Sequence, residues 1–436
     1  MESPTSNYCP TDPAATACGS LGSVGAATLL LERAAHYVST IDTTFALPKN
    51  ALIDVDHGTF RVQLPDVRAS AAAGAGLSAS LLVGLVMAFV MHGYLREMKP
   101  SPRKLLLGGA LFLSAILVPY GIIDLLREPN TAVRFTICLP FALYQFRVLE
   151  GLFGFTPAGA VGNFGVYGAY FALPFDMIFE DDRPVMATRR EKIESVLSLW
   201  RPVAIMILML STMIPFDFKP FGEQNAGEYH ETISVQDYLA PGHLGNCFAI
   251  AIFFQQGLAL GDALTGGTIQ LFLGYKSERC MRNPMLDSDS PSDFWGRKWN
   301  RLVHAVLKRG IYKPFRKHTG SPVVSQLAVF VASGLFHEWL IHACFLYNRP
   351  GVDKSRVLLW SNTAFFVWNF GVVMCERLVV GTRLVKFLSG ITPQAVVPLV
   401  IIMCSLPMAH WFGGPYVYGG FLEDYAKLVP MVIKIR

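Results

Sequence analysis

Long stretches of this chain contain no Asp, Glu, Lys or Arg, and they alternate with short segments in which charged residues gather. The uncharged runs cover residues 69–95, 105–123, 151–175, 202–216, 238–261, 319–337, 357–375 and 387–422. Most of them approach or exceed the ~18–20 residues that a helix needs to cross a bilayer. A large soluble core seldom contains so many such runs. The pattern therefore predicts an all-α, polytopic membrane protein.

The basic residues between the runs predict which side of the membrane each loop faces. Four Lys and Arg residues between 96 and 104 follow the first run, so the positive-inside rule places that loop in the cytosol. Residues 135–149 contain Pro140 and Arg147 and are followed by Glu150, and we expect them to lie at the interface or re-enter rather than cross. The acidic loop 217–237 then faces the lumen and residues 276–318 face the cytosol. About eight spans result, within a range of about seven to ten, with both termini lumenal.

Four regions follow from this alternation. Residues 1–68 form a polar, lumenal segment with a short amphipathic helix at 21–38. Residues 69–275 hold transmembrane helices to which the sequence assigns no role in specificity. Residues 276–318 form a cytosolic segment, called the basic collar below. Residues 319–436 return to the membrane and contain an imidazole, His337, inside an apolar run.

Composition agrees with a membrane protein, because 52% of the residues are hydrophobic and 16% are charged. The net charge of +5 is not a nucleic-acid signature, since the basic residues flank apolar runs. The eight cysteines show no CxxC and no paired metal spacing, so no metal site is expected. Most of them read as core residues, whereas Cys9 and Cys18 could pair if their segment is lumenal.

The basic collar contains eight Lys or Arg residues and no acid between residues 294 and 318. One interpretation is a loop that touches anionic lipid headgroups. The other is a site for a ligand with phosphates and an adenine ring, such as coenzyme A, held by cations and by stacking on tryptophan. Asn300 favours the second, because a neutral amide can polarise a carbonyl. The candidate acyl-CoA residues are Phe294, Trp295, Arg297, Lys298, Trp299, Arg301, His304, Tyr312 and Lys313.

His337 is the best candidate for catalysis. It lies about fourteen residues into its run, roughly 20 Å along a helix and well inside the hydrocarbon, where an ionisable group is by default a functional hypothesis. The alternative is an imidazole that only joins neighbouring helices. Ser333 and Gly334 are small, share its face, and would let a long ligand approach the ring. Glu338 faces elsewhere and is expected to tie the helix to its neighbours.

The sequence also bears on two other functional classes, a zinc protease and a transporter. A zinc protease is excluded because His337 and His342 are five residues apart, about 140° round a helix, and cannot chelate one ion. Asp124 and Asp262 could be coupling-ion sites of a transporter. Both lie at the ends of apolar runs rather than at the midplane, so a lipid or metabolite transporter stays the alternative outside enzymes.

The stretch DFWGRKWNRLVHAVLKRGIYK at 293–313, followed by SGLFHEWL at 333–340, resembles the wax synthase branch of the membrane-bound O-acyltransferases. That branch pairs a DFWGRRWN-like stretch with an SGxxHE helix, and Lys298 replaces the second Arg. More distant diacylglycerol and sterol acyltransferases are similar in a WNxxVH pattern. The likeness covers two linked motifs closely and leaves residues 1–150 unassigned.

The resemblance implies that His337 is the catalytic base, that Asn300 is the second active-site residue, and that residues 294–312 lie near the acyl-CoA. It implies a multi-pass enzyme of the endoplasmic reticulum with acyl-CoA as co-substrate, no permanently bound cofactor and no metal. The expected reaction esterifies a hydrophobic alcohol, a long-chain fatty alcohol first. Acetylation of a sterol or terpenoid hydroxyl and acylation of diacylglycerol are the alternatives.

Overall fold

The computed structural model describes residues 50–55, 58–214, 218, 237–349, 357–382 and 393–434. The predicted helix at 21–38, the cysteines Cys9 and Cys18, and nearly all of the predicted lumenal loop 217–237 lie outside the described residues. The structure is mostly helical, which confirms the predicted fold class. Five short strands, in one three-stranded and one two-stranded sheet, are the departure from an all-α chain among the described residues.

The described residues up to Phe272 form eight α-helices and four short strands. Its elements are β1 (Asn50–Val55), β2 (Gly58–Gln63), α1 (Val67–Val90, extended by a π-helical turn Met91–Leu95), α2 (Pro102–Leu126), α3 (Thr131–Phe153), α4 (Ala158–Val161), α5 (Phe164–Ala172), β3 (Phe179–Glu180), β4 (Arg183–Pro184), α6 (Arg189–Leu197), α7 (Trp200–Met213), a 3₁₀ turn Asp237–Leu239 and α8 (Pro241–Phe272).

The second part carries both predicted motifs. Its elements are α9 (Pro284–Asp287), α10 (Pro291–Asp293), a π-helical turn Phe294–Lys298, α11 (Arg301–Leu307), a π-helical turn Lys308–Tyr312, α12 (Lys313–Thr319), α13 (Pro322–Ile341, extended by a π-helical turn His342–Leu346), α14 (Ser361–Val379), a 3₁₀ turn Gln394–Val396, α15 (Val397–Ser405), a 3₁₀ turn Leu406–Met408, α16 (His410–Tyr418), α17 (Phe421–Ala426) and β5 (Met431–Lys434).

Six segments in the described part of the chain are long and apolar enough to cross a membrane. They are Val67–Leu95, Pro102–Leu126, Thr131–Phe153, Arg189–Met213, Pro241–Phe272 and Pro322–Leu346. The pair Val397–Met408 and His410–Tyr418, bent by 58°, gives a seventh if it counts as one broken span. The polytopic prediction is confirmed, while the count falls at or below the lower end of the predicted range.

The third span was predicted in the wrong place. Residues 135–149 do not form a separate interfacial or re-entrant segment, because they belong to the continuous helix α3. Residues 151–175 are instead the end of α3 and the short helices α4 and α5. Pro140 does not break α3, since neighbouring helices can re-satisfy the backbone groups that a proline frees. One helix replaces another ahead of the collar, so the side predicted for the collar is unchanged.

Helix α3 lies at the centre of the fold. In its most apolar window 78% of the residues are buried inside the protein. Arg147 on α3 is fully buried and donates to the carbonyl oxygens of Phe171, Leu173 and Phe175 at 2.8–2.9 Å. These bonds tie α3 to the end of α5. The two terminal nitrogens of this buried guanidinium are therefore hydrogen-bonded, as buried charge requires, whereas its Nε contacts no acceptor among the described residues.

A buried ion pair joins α3 to the basic collar. Glu150 accepts from Arg309 at 3.0 Å, and Arg309 also contacts Asp176 at 3.3 Å. Tyr170 donates to the same Glu150 carboxylate. One residue along, a Cβ added to Gly310 would lie 2.7 Å from the carbonyl oxygen of Phe146, so the collar can approach α3 closely there only with glycine. The collar is therefore packed onto the core.

The last two apolar runs differ from simple spans. Run 357–375 forms α14, which packs along α13 but does not reach the apolarity of the six candidates. Run 387–422 forms the bent pair α15 and α16, in line with the prediction of a span followed by a re-entrant piece; residues 383–392 lie outside the described chain. β5 pairs antiparallel with β2, which pairs with β1.

Candidate active site

A cavity of about 490 Å³ lies between α3, α8, the collar helices, α13, α14 and the bent pair α15 and α16. Its wall is mostly apolar and contains a few polar groups, the usual make-up of a site for a small-molecule substrate. Of the predicted site residues, those on the wall are Phe294, Trp295, Trp299, Asn300, His304, Tyr312, Ser333 and His337. The two motifs, far apart in sequence, thus meet at one cavity.

His337 is oriented by its own helix. Its Nδ1 lies 2.7 Å from the carbonyl oxygen of Ser333, one turn earlier on α13. A carbonyl can only accept, so Nδ1 carries the proton of the neutral ring and Nε2 is left with a lone pair. The ring stacks on Phe366 with centroids 4.8 Å apart and meets the edge of Phe412 at 5.1 Å. These contacts hold a proton-accepting nitrogen in an apolar wall.

Asn300 is held through its side-chain oxygen. Oδ1 accepts from the backbone N–H of Val303 at 3.3 Å and from the thiol of Cys280 at 3.3 Å. The first bond caps the N-terminus of α11, a role that asparagine fills well. Because Oδ1 is occupied, the amide nitrogen is the end of the side chain that remains to donate, and within the described chain no acceptor contacts it. Asn300 is thereby suited to bind a negatively charged oxygen.

The backbone at Asn300 explains why this residue type stands there. Its φ of 39° is in the left-handed region, which asparagine tolerates better than most residues other than glycine. The same turn places Trp299 in extended conformation before α11. The asparagine therefore combines a backbone conformation, a helix cap and a free amide.

The tryptophans of the collar build the wall rather than stand free. Trp299 stacks on Phe294 with centroids 5.5 Å apart and 15° between planes. Trp295 donates to Asn369 at 3.1 Å and packs edge-on against Phe366. The predicted stacking of adenine on either ring would have to use the remaining faces.

The cations of the collar are mostly engaged elsewhere. Arg297 pairs with Asp293, and the guanidinium holds the pKa of that carboxyl below its usual value even though burial opposes the shift. Arg301 pairs with Glu278 at 3.4 Å. Lys298 and Lys313 are not on the cavity wall, and Lys313 lies over the ring of Phe155. These four predicted acyl-CoA residues are not brought to the cavity.

The cationic side chains that the described structure does place on the cavity wall are Lys308 and Arg377. Lys308 begins the second π-helical turn of the collar, and Arg377 lies in the last turn of α14. Neither was among the predicted site residues. The charge count of the collar included Lys308, but only the packing of α14 against α13 could bring Arg377 to the same wall.

His304 and Tyr312 both line the cavity from the collar. Burial, followed by the nearby cations Lys308 and Arg301, lowers the pKa of His304 to about 4. Its imidazole is therefore neutral at physiological pH. A neutral ring adds hydrogen-bonding capacity to the wall without adding charge.

The other predicted supporting residues divide between the cavity and the helix packing. Ser333 lines the cavity, whereas a Cβ added to Gly334 would lie 2.6 Å from Cα of Thr363. The position at which a ligand was expected to pass is thus taken by α14. Glu338 accepts from the backbone N–H groups of Trp360 and Thr363 at 2.8 and 2.9 Å, which caps α14 and confirms the expected tie to a neighbour.

Residues 279–368 match the model of the Membrane bound O-acyl transferase family. The matched range contains Asn300, His337 and both motifs, so the predicted resemblance is confirmed over this segment. The fold is that of a polytopic membrane protein, and residues 279–368 within it match the model of this acyltransferase family.

The more particular resemblance, to the wax synthase branch, is confirmed by curated relatives. The chain is 30% identical over 177 residues to Probable long-chain-alcohol O-fatty-acyltransferase 2 of Arabidopsis thaliana, covering 38% of this chain and 46% of that protein. It is 24% identical over 200 residues to Acyl-CoA--sterol O-acyltransferase 1 of the same plant, covering 43% and 54%. It is 33% identical over 89 residues to Diacylglycerol O-acyltransferase 1 of Homo sapiens, covering 20% and 18%. The chain spans about half the length, or less, of these relatives.

Proposed function

We propose that the protein is an acyl-CoA-dependent O-acyltransferase that esterifies a hydrophobic alcohol, with a long-chain fatty alcohol as acceptor and a wax ester as product. The observation that carries the proposal is the meeting of His337 and Asn300 on the wall of one apolar cavity. A lone pair for a proton and an amide for an oxyanion are the two polar functions that ester formation from a thioester requires.

In this mechanism Nε2 of His337 accepts the proton of the alcohol while the alcohol oxygen attacks the thioester carbonyl carbon. The tetrahedral intermediate carries its negative charge on the former carbonyl oxygen, to which the Asn300 amide donates. As the intermediate collapses, the carbon–sulfur bond breaks and the proton held by His337 passes to the leaving thiolate of coenzyme A. The products are an ester and free coenzyme A.

The site favours direct transfer of the acyl group between two bound substrates over transfer through a covalent acyl-enzyme. Ser333 lines the cavity one helical turn before His337. Its backbone carbonyl, not its hydroxyl, contacts the imidazole ring. Such a contact does not activate the serine as a nucleophile. A ternary complex of acyl-CoA and alcohol therefore accounts for the site better than an acyl-enzyme.

Lys308 and Arg377 support the choice of donor, because two cations at the wall of an otherwise apolar cavity suit a phosphate-bearing head with an apolar tail. If the collar is cytosolic, as its charge predicts, acyl-CoA reaches the cavity from the cytosol. The alcohol, which partitions into lipid, would enter from the bilayer. The resemblance to these acyltransferases implies the membrane of the endoplasmic reticulum, and we propose this location for the protein.

The test is product identification. Membranes that contain the protein would be incubated with labelled acyl-CoAs of several chain lengths and with a fatty alcohol, a sterol and diacylglycerol as separate acceptors. We expect labelled wax ester together with released coenzyme A, and neither product from membranes carrying a His337→Ala variant. Ester formed on the sterol or on diacylglycerol alone would replace the proposed acceptor. Substrate flux without release of coenzyme A would contradict an acyltransferase altogether.

A further inference from the structure

Three metal-ligating side chains that the proposed reaction does not use lie together beside the cavity. They are His243 and Cys247 on α8 and His410 at the start of α16. One ring nitrogen of each histidine and the cysteine sulfur all lie within 4.8 Å of one another. His243 and Cys247 are buried and His410 is partly buried. We propose that these three residues bind a Zn²⁺ ion.

Local geometry fits this ion. His243 and Cys247 are four residues apart, so they share one face of α8. Zn–S of about 2.3 Å and Zn–N of about 2.0–2.1 Å at a tetrahedral angle place sulfur and nitrogen about 3.6 Å apart. Cys247 Sγ and His243 Nε2 are 3.6 Å apart. Two ligands are therefore already at the separation that a shared zinc ion requires.

The third ligand offers a lone pair to the same ion. Nδ1 of His410 lies 3.0 Å from the carbonyl oxygen of Pro407 and donates to it, which leaves the lone pair of the neutral ring on Nε2. Zinc-bound histidines commonly donate their other ring nitrogen to such a carbonyl. The same Pro407 oxygen also lies 3.1 Å from His243 Nε2, and a water can complete four-fold coordination.

The ligand set selects the metal class. One thiolate with two imidazoles suits zinc, whereas Mg²⁺ and Ca²⁺ prefer oxygen ligands. Binding replaces the thiol hydrogen of Cys247, whose proton leaves to solvent, and forms one metal–sulfur and two metal–nitrogen bonds. The short contact between Cys247 Sγ and His243 Nε2 becomes part of a coordination sphere.

At this position the zinc ion would have a structural role. His410 follows residue 409, where the bent pair α15 and α16 changes direction by 58°, and α8 is the helix opposite. Cys247 and Ala409 both line the cavity. A zinc ion at this point links α8 to the bend and fixes one wall of the cavity.

The experiment measures metal content directly. Protein without a histidine tag, purified in detergent, would be stripped with a chelator, equilibrated with Zn²⁺, separated by gel filtration and analysed by elemental mass spectrometry. We expect about one zinc ion per chain. Each of His243→Asn, Cys247→Ser and His410→Asn should lower retained zinc at least several-fold. Cys404→Ser and His318→Asn, which change an exposed cysteine and an exposed histidine elsewhere, should retain it.

A cobalt substitution keeps the test decisive if the variants fold poorly. Wild-type protein loaded with Co²⁺ should show the intense visible bands of a tetrahedral ion and a thiolate-to-cobalt charge-transfer band. The charge-transfer band should persist in Cys404→Ser and vanish in Cys247→Ser. Wild-type protein that holds no zinc above the level of its triad variants, or cobalt without the thiolate band, would overturn the proposal. Neither readout depends on transferase activity, so the result is separate from the proposed reaction.

Discussion

His337 and Asn300 are each fixed at one end and unoccupied at the other. In His337 the bond from Nδ1 to the Ser333 carbonyl sets the tautomer, and in Asn300 the helix cap sets the orientation of the amide. Both bonds are local, within four residues along the chain. The chemical character of each group thus follows from its own helix, while their meeting at the cavity depends on packing.

Replacing His337 by alanine removes the proposed base. We expect kcat for ester formation to fall by about 10²-fold or more, because a positioned general base contributes on that order. Initial rates in membranes matched for protein amount provide the measurement. His318→Ala, at an exposed position at the end of α12, is the matched control and should keep its rate. A His337→Ala protein that inserts normally and keeps most of its activity would exclude the base.

Replacing Asn300 by aspartate separates the amide from the helix cap. Aspartate can still accept from Val303, and it tolerates the left-handed backbone, so the thermal midpoint should stay near wild type. The donor to the oxyanion is lost and a negative charge is added, so kcat should fall by about 10²-fold or more. Asn300→Gly, which keeps the backbone conformation alone, should lose both rate and stability. Full activity in Asn300→Asp would argue that the amide plays no part.

Lys308 and Arg377 test the position of the donor. Neutralising either side chain, as Lys308→Met or Arg377→Met, should raise KM for acyl-CoA several-fold with a smaller change in kcat, because the phosphates contribute binding in ground and transition states alike. KM for the alcohol should stay near wild type. Lys313→Met removes an exposed collar cation outside the cavity and serves as control. Equal KM shifts in all three variants would instead indicate a general effect of surface charge.

At the residue scale, the sequence was most informative for residues that stand out by their own position or motif. His337 stood out because an ionisable group inside an apolar run is costly, and Asn300 because its motif marks it. The predicted set of cations was less successful, since charge count does not reveal which guanidinium will find an acid. Arg297, Arg301 and Arg309 find Asp293, Glu278 and Glu150, and those pairings are set by folding.

At the scale of elements, the pair α13 and α14 governs the shape of the site. Gly334 lets the backbone of α14 come close, and Glu338 caps the first turn of α14 one helical turn later. Phe366 on α14 then stacks on His337. Gly334, His337 and Glu338, all on α13, therefore position α14 against it.

A methyl group at Gly334 should loosen this pair. In Gly334→Ala the new Cβ would meet the backbone of Thr363, and we expect destabilisation of about 1–3 kcal/mol, the usual cost of overpacking. The measurement is thermal unfolding of the purified protein in detergent. Gly371→Ala on α14 is the matched control, since its Cβ would meet nothing within 4 Å, and it should be neutral or slightly stabilising. Equal midpoints for both variants would contradict the close approach.

Uncharged runs did not identify the helix α3, which is surrounded by protein rather than lipid. Helix α3 carries Arg147 and Glu150 because Arg147 has carbonyl partners and Glu150 has Arg309. Run 151–175 is free of charge yet folds into short pieces, since a glycine in left-handed conformation at 154 ends α3 and the chain turns. Charge alone cannot separate a buried helix from an interfacial one, or an apolar loop from a span.

At the scale of the whole molecule, the corrected helix order keeps the collar on the side predicted for it. We therefore expect a cysteine at Lys317, an exposed collar position, to react with a membrane-impermeant maleimide in sealed vesicles whose cytosolic face is outward. Arg127→Cys, exposed between α2 and α3 on the opposite side, should react only after detergent is added. Peptide mapping separates these sites from native cysteines. The reverse labelling pattern would invert the topology.

For the whole chain, the sequence was sufficient for the membrane class, the helical fold and the two motifs. It was insufficient for the contacts between distant segments: Arg377 with the cavity, β5 with β2, and His410 with Cys247. Each of these joins residues more than 60 positions apart. Such contacts depend on the full set of helix packings, which a periodic pattern does not contain.

The buried position of α3 also determines how the protein can be made. Its mean hydropathy of 1.3 is among the lowest of the six candidate spans, and each arginine at a helix centre costs about 2.5–3.5 kcal/mol on translocon insertion. Arg309, the partner of Glu150, is synthesised 159 residues later. Until the collar emerges from the ribosome, α3 can therefore pack against its earlier neighbours α1 and α2 but not against Arg309. A nascent chain arrested before the collar leaves Glu150 on the central helix without its arginine partner.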